Sequence, residues 1–223
     1  MKPRIKAGTG SGISLSVGVS GSGKTYGIKQ QVYRAVSNGM RVIVIDRLHE
    51  WRAVPRAIAD RTGVFDSVRE AIVKKPDKGG NLTLVRSRDM ELDAERVCQW
   101  AMRTGNVGIA ISEAHRVLPN RAILPGGALG DALTSGRHRN IRLWLDTQRL
   151  ALLSKTATEQ AANVRVYTIV GDRDKSVLKT TWGTALLAAV EECGAKLARG
   201  EAGWHVRLGP SRLGPYRPTR KVF

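Results

Sequence analysis

Short apolar runs recur along the chain, separated by polar stretches with a longer period. The runs are ISLSVGV (13–19), RVIVID (41–46), LTLVRS (82–87), VGIAIS (107–112), IRLWLDT (141–147) and RVYTIV (165–170). Each has strand length and a β-favouring composition. Helical patterns fall between them at Lys24–Ser37, Leu92–Arg103 and Thr156–Asn163. A longer helix-forming region covers 174–200, and its LLAAV segment has enough apolar positions to pack on a sheet. Strand and helix in alternation predict an α/β fold with a mainly parallel central sheet and helices on both faces. KKPDKGGN (74–81) is a turn-rich connection.

The C-terminal stretch RLGPSRLGPYRPTRKVF (207–223) breaks this rhythm. It repeats Arg-Leu-Gly-Pro, contains no acid, and reads as an extended basic tail. Contact with nucleic acid or a shell protein is one reading of it, and a plain solvated tail is the other. The remaining 206 residues suit one compact domain, since 42% of the 223 residues are hydrophobic.

Charge narrows the choice of partner. The chain carries 37 Lys and Arg against 19 Asp and Glu, a formal charge of +18. That excess points to a polyanion, nucleic acid first and an acidic membrane face second. Cys98 and Cys193 lie far apart with no metal-binding spacing and read as reduced core thiols. No apolar run long enough for a signal peptide follows the basic N-terminus, and none approaches the roughly 18 residues of a membrane span, so a soluble chain is expected. The tryptophans, Trp51, Trp100 and Trp144 among them, read as core or subunit-contact residues.

The densest chemistry lies in GVSGSGKT, from Gly18 to Thr25. It fits G-x-x-x-x-G-K-[ST] with a strand pattern before it and a helix pattern after it. In that context Gly18, Ser20, Gly21, Ser22 and Gly23 form a loop whose backbone N–H groups point at phosphate oxygens. Lys24 would bridge β- and γ-phosphates, and Thr25 would place its hydroxyl on Mg²⁺. ATP and Mg²⁺ are the implied cofactors.

The run VGIAI leads into Ser112, Glu113 and His115. Many P-loop ATPases end this strand in Asp-Glu, where Asp supports the metal shell and Glu polarises the attacking water. Glu113 fits the second role. Ser112 offers the metal a hydroxyl but no charge. Asp146 in RLWLDTQRL is a candidate replacement if its strand lies beside the one ending at Ser112. The alternative is that Asp146 caps the following turn. Gln148, on the same side of that strand as Asp146, would sense the γ-phosphate or orient water. His115 reads as structural.

Together these motifs resemble the FtsK/HerA superfamily of DNA-pumping ATPases over residues 13–170. VIDRLHEW (44–51) is similar to that family's Asp-x-x-x-x-Glu-aromatic signature after the second strand, and SGRHRNIRLWLDTQRL (135–150) to its Gly-Arg stretch and strand ending Thr-Gln-Arg. The small size is most similar to genome-packaging ATPases of membrane-containing, double-jelly-roll viruses. The Zot-type assembly ATPases of filamentous phages, with similar EAHRVLP and RHR stretches, come second. The resemblance implies a RecA-like domain working as a homo-oligomeric ring, a hexamer or pentamer, with ATP sites between subunits. It implies double-stranded DNA as substrate, capsid-vertex or membrane proteins as further partners, and a host-cytoplasmic or virion-associated location. It makes Arg137 the first choice for an arginine donated across the subunit boundary, with Arg139 and Arg149 as alternatives. Asp46 and Glu50 match the signature, either near the site or as a buttress of the sheet.

Three function classes follow from these residues. A DNA translocase uses the P-loop, Glu113, Gln148, the arginines and the charge together. A P-loop kinase would need an acceptor pocket and an arginine-rich lid, for which the sequence shows no insertion. A non-catalytic nucleic-acid-binding protein would explain Ser112 but leaves the rest of the set unused.

Overall fold

The computed structural model describes residues 12–51, 53–60, 62–73, 81–121, 126–208 and 218–220. The six sequence-predicted strands are present as β1 (Ile13–Val17), β2 (Arg41–Ile45), β4 (Leu82–Val85), β5 (Val107–Ile111), β6 (Arg142–Thr147) and β7 (Asn163–Val166). Three further strands are β3 (Thr62–Phe65), β8 (Trp204–Leu208) and β9 (Thr219–Arg220). The helices are α1 (Lys24–Ser37), α2 (Arg56–Ala59), α3 (Val68–Val73), α4 (Met90–Thr104), α5 (Gly127–Thr134), α6 (Lys155–Gln160), α7 (Asp172–Trp182) and α8 (Thr184–Ala198).

These strands form one sheet in the order β3-β4-β2-β5-β6-β1-β7-β8-β9. Every pairing from β3 to β7 is parallel, whereas β8 and β9 run antiparallel. The topology agrees with an α/β P-loop NTPase sheet, and parallel neighbours force each crossover to cover a face of it.

Alternation along the strands builds two cores. Val42 and Val44 of β2, with Trp144 of β6, pack under α1 beside Ile28 and Val32. Ile43 and Ile45, with Leu143 and Leu145, face the opposite layer beside Val97 of α4 and Leu186 of α8. Cys98 and Cys193 are free and buried, as expected of core thiols.

Several boundaries differ from the sequence reading. The predicted helix Thr156–Asn163 stops at Gln160, because Asn163 opens β7 and pairs with Ser14. Region 174–200 is two helices, interrupted at Gly183 with φ 93°. Arg207 and Leu208 belong to β8 and pair with β7, and Thr219–Arg220 pairs back onto β8. The rest of the 207–223 tail lies outside the described residues. Among the described residues no helix is long and apolar enough to cross a membrane.

Candidate nucleotide site

The loop from Gly18 to Gly23 hangs between two strand ends. Gly18 N–H donates to Thr147 O at 3.1 Å, and Val19 N–H to Thr168 O at 2.9 Å. Ser22 Oγ donates to Val19 O at 2.8 Å and closes the turn from within. Its backbone carbonyl accepts from Gly203 N at 3.1 Å, tying the loop to the turn before β8. Ser20 is exposed at the loop crest. Gly23 takes φ 94° as the N-cap of α1, a left-handed conformation costly to a side chain. No side chain caps this end, so the positive end of the α1 dipole faces the loop and suits an anion.

Support for this loop comes from below. Arg165 Nη1 donates to Gly27 O at 3.1 Å. A Cβ on Gly27 would lie 2.2 Å from the Tyr167 hydroxyl, so the close approach of α1 to Tyr167, just beyond β7, requires a residue without a side chain.

Pairing of β5 with β6 brings the acidic strand into the site. Glu113 caps the turn after β5 with φ 54° and ψ 48°, a strained conformation for a side-chain-bearing residue. Its Oε1 accepts from Gln148 Nε2 at 2.7 Å and lies 3.9 Å from Lys24 Nζ. Its Oε2 lies 3.5 Å from His115 Nδ1, which is 3.0 Å from Thr147 Oγ1. Thr147 Oγ1 also lies 3.2 Å from Arg149 O, and the direction of the His115–Thr147 bond is set by the imidazole tautomer. Burial lowers the His115 pKa, although the Glu113 charge pulls it upward. His115 thus touches the carboxylate as well as the framework, a contact the sequence reading missed.

Asp146 does something neither sequence alternative described. Its Oδ1 accepts the backbone N–H of Glu113 at 3.1 Å, so it fixes the neighbouring strand's turn rather than its own. It is 1% exposed, and its Oδ2 has no hydrogen-bond partner among the described residues. Burial raises its pKa to about 7, with Lys24 opposing and Glu113 and Glu50 adding to the rise.

Ser112 is buried, and its hydroxyl accepts from Trp51 Nε1 at 3.4 Å, so the indole takes up one of its lone pairs. Asp46 accepts from Glu50 N and Trp51 N, both at 3.0 Å. The loop after β2 therefore returns to the P-loop, where Thr25 Oγ1 donates to Glu50 Oε2 at 3.3 Å. Asp46 is the buttress and Glu50 the residue near the site.

The arginines separate into two groups. Arg149 follows β6 at the P-loop end and pairs with buried Asp174 at 3.6 Å. Arg137 and Arg139 are exposed at the opposite end, before β6 begins. Their turn is pinned by Asn106 N donating to Arg139 O (2.9 Å) and Asn140 Nδ2 donating to Asn106 Oδ1 (2.9 Å). Neither reaches this chain's own P-loop.

A P-loop ATP site implies Mg²⁺. Among the described residues no cluster of three His, Cys, Asp or Glu would hold a cation unaided. The donor chemistry fits an ion shared with phosphates: a hydroxyl at Thr25 with a carboxylate on it at Glu50.

No protein-family model matches the chain. No curated protein matches it either. Among solved structures it is similar to the genome packaging NTPase B204 from Sulfolobus turreted icosahedral virus 2. The sulfate complex of that protein gives TM-score 0.72 at 15% identity, over 97% of this chain and 99% of that one. Its complex with AMPPCP gives 0.71 at 17% identity, over 96% and 98%. VirB4 of Thermoanaerobacter pseudethanolicus gives 0.60 at 11% identity, over 93% and 88%. At these identities the likeness establishes the fold, a RecA-like P-loop NTPase spanning nearly the whole chain.

Proposed function

We propose that this chain is an ATP-hydrolysing DNA translocase that packages a viral genome into a preformed capsid. The observation that carries the reading is the contact set on Glu113. One carboxylate receives Gln148 at 2.7 Å, faces His115 at 3.5 Å and lies 3.9 Å from the P-loop lysine. A general base beside the γ-phosphate position suits water as the acceptor. The whole-chain likeness to a genome packaging NTPase supports the packaging context.

In this reading Lys24 and the α1 N-terminus bind the phosphates. Glu113 orients water and takes its proton, and Gln148 holds Glu113 in place. Thr25 would help hold Mg²⁺ with the nucleotide, where the ion would supply positive charge against the phosphates. Arg137 is the first choice for a cation reaching the next subunit's nucleotide in a ring, with Arg139 second. Arg149 is the weaker choice, because Asp174 already holds it. Exposed arginines at both ends of the strands, Arg47, Arg116 and Arg173 at one and Arg137 and Arg139 at the other, suit contact with a phosphate backbone without sequence reading. A conjugation-type DNA pump is the second reading, favoured by a likeness to the pCW3 conjugation coupling protein TcpA at TM-score 0.54 and 11% identity.

The test is phosphate release from ATP with Mg²⁺, with and without duplex DNA. The expected result is DNA-stimulated release, abolished in Lys24→Ala and reduced about 10²–10⁴-fold in Glu113→Gln. ATP binding without release in any condition would overturn the assignment of Glu113.

A further inference from the structure

The serine at position 112 has a structural cause, and that cause points to the carboxylate serving the metal in its place. Ser112 lies one residue beyond the paired Ile111 and Leu145, so it stands beside Asp146 on the same face of the sheet. Both residues are buried. An aspartate at 112 would set two buried carboxylates side by side, an arrangement that holds one of them protonated. The chain keeps one acid there, Asp146, and gives the other place to a hydroxyl that accepts the Trp51 indole N–H.

Trp51 is the end of a built device. It is 0% exposed, stacks edge-on against Tyr33 at 6.0 Å, and its backbone N–H is held by Asp46. The residue before it, Glu50, is held by the other Asp46 oxygen and by Lys29, which donates to its carbonyl. These anchors deliver the Glu50 carboxylate to the Thr25 hydroxyl at 3.3 Å. Glu113 lies 3.9 Å from Lys24, and Asp146 beside it feels the charges of Lys24, Glu113 and Glu50. A carboxylate set directly on the P-loop hydroxyl suits a divalent cation shared with phosphates.

We propose that Glu50 is the protein carboxylate of the magnesium shell, acting with Thr25, and that Asp146 is a positioning residue that holds Glu113 through its backbone. This rests on the reading of the site as one that binds Mg²⁺ with ATP. The loop after β2 supplies the charge that strand β5 lacks. Asp46, Trp51 and Ser112 keep that loop in place.

The test is the Mg²⁺ concentration giving half-maximal binding of a fluorescent ATP analogue to the full chain, with binding in EDTA as reference. In Glu50→Gln the required Mg²⁺ concentration should rise about 10–100-fold while binding in EDTA stays unchanged. Asp146→Asn should leave the Mg²⁺ requirement unchanged. An unaltered requirement in Glu50→Gln, or a raised one in Asp146→Asn alone, would overturn the proposal. Unfolding of Asp146→Asn would leave Glu50→Gln decisive. A wild-type chain that binds the analogue independently of Mg²⁺ and releases no phosphate would instead overturn the ATPase reading itself.

Discussion

Asp146 is the residue whose environment departs furthest from its chemistry in water. Burial raises its pKa from 3.8 to about 7, so the folded chain holds this proton more tightly than the unfolded chain. The resulting contribution to stability is fully present below pH 3.8 and is lost as pH rises through about 7. Asp146→Asn removes the titration. Its melting temperature should therefore fall less than that of the wild type between pH 5 and pH 8, and parallel curves would show that the carboxylate is not buried as described. The sequence identified Asp146 from strand alternation, and adjacency of β5 and β6 holds. It could not show that the acceptor bond goes to Glu113 N, because that depends on a register fixed between strands 33 residues apart in sequence. His115 was equally hidden: one histidine two residues from an acid carries no signal of direction until the turn at φ 54° is known.

At the scale of elements, close approach explains more than propensity. The sequence predicts helix α1 with its observed boundaries because the phosphate loop fixes its start and Gly39 follows its end. Its close approach to Tyr167 depends on Gly27. Gly27→Ala should destabilise the chain by about 1–3 kcal/mol, as overpacked cores do. Tyr167→Phe in the same chain should restore most of that loss, since the clashing atom is the hydroxyl at 2.2 Å and the ring carbon behind it is 3.5 Å away. No recovery in thermal melts would place the strain elsewhere. Helix α5 shows a second device, absent from any local motif. Glu95 of α4 accepts from Ala128 N at 2.7 Å and Leu129 N at 2.9 Å, capping α5 from a neighbouring helix. Glu95→Ala should cost about 1–2 kcal/mol, the range of a lost N-cap. Strand β3 and the short helices around it escaped the sequence reading for a related reason. β3 is an edge strand with an exposed Val64, and it lacks the dense apolar run that marks the central strands.

The whole molecule presents a nucleotide site at one end of its strands and a pinned pair of exposed arginines at the other. In the ring proposed above, one subunit's Arg137 would face the next subunit's P-loop. Mixing Arg137→Ala subunits with Lys24→Ala subunits, each inactive alone, should therefore restore part of the hydrolysis, whereas inactivity at every ratio would exclude donation in trans. The +18 charge belongs to the same scale. Duplex DNA binding should weaken by roughly 10³-fold or more between about 50 and 200 mM salt, and should not depend on sequence. Sequence alone made the sheet, its cofactor loop and the charge legible. The division of labour among Glu50, Asp46 and Ser112 was not, because it requires the loop after β2 to fold back onto the P-loop.

The most direct measurement is displacement of a third strand from a DNA triplex by the full chain with ATP and Mg²⁺, beside Glu113→Gln. ATP-dependent displacement in the wild type and none in the variant is the expected result. Displacement that continues in Glu113→Gln, or ATP hydrolysis with no displacement at all, would contradict a translocase driven by this site.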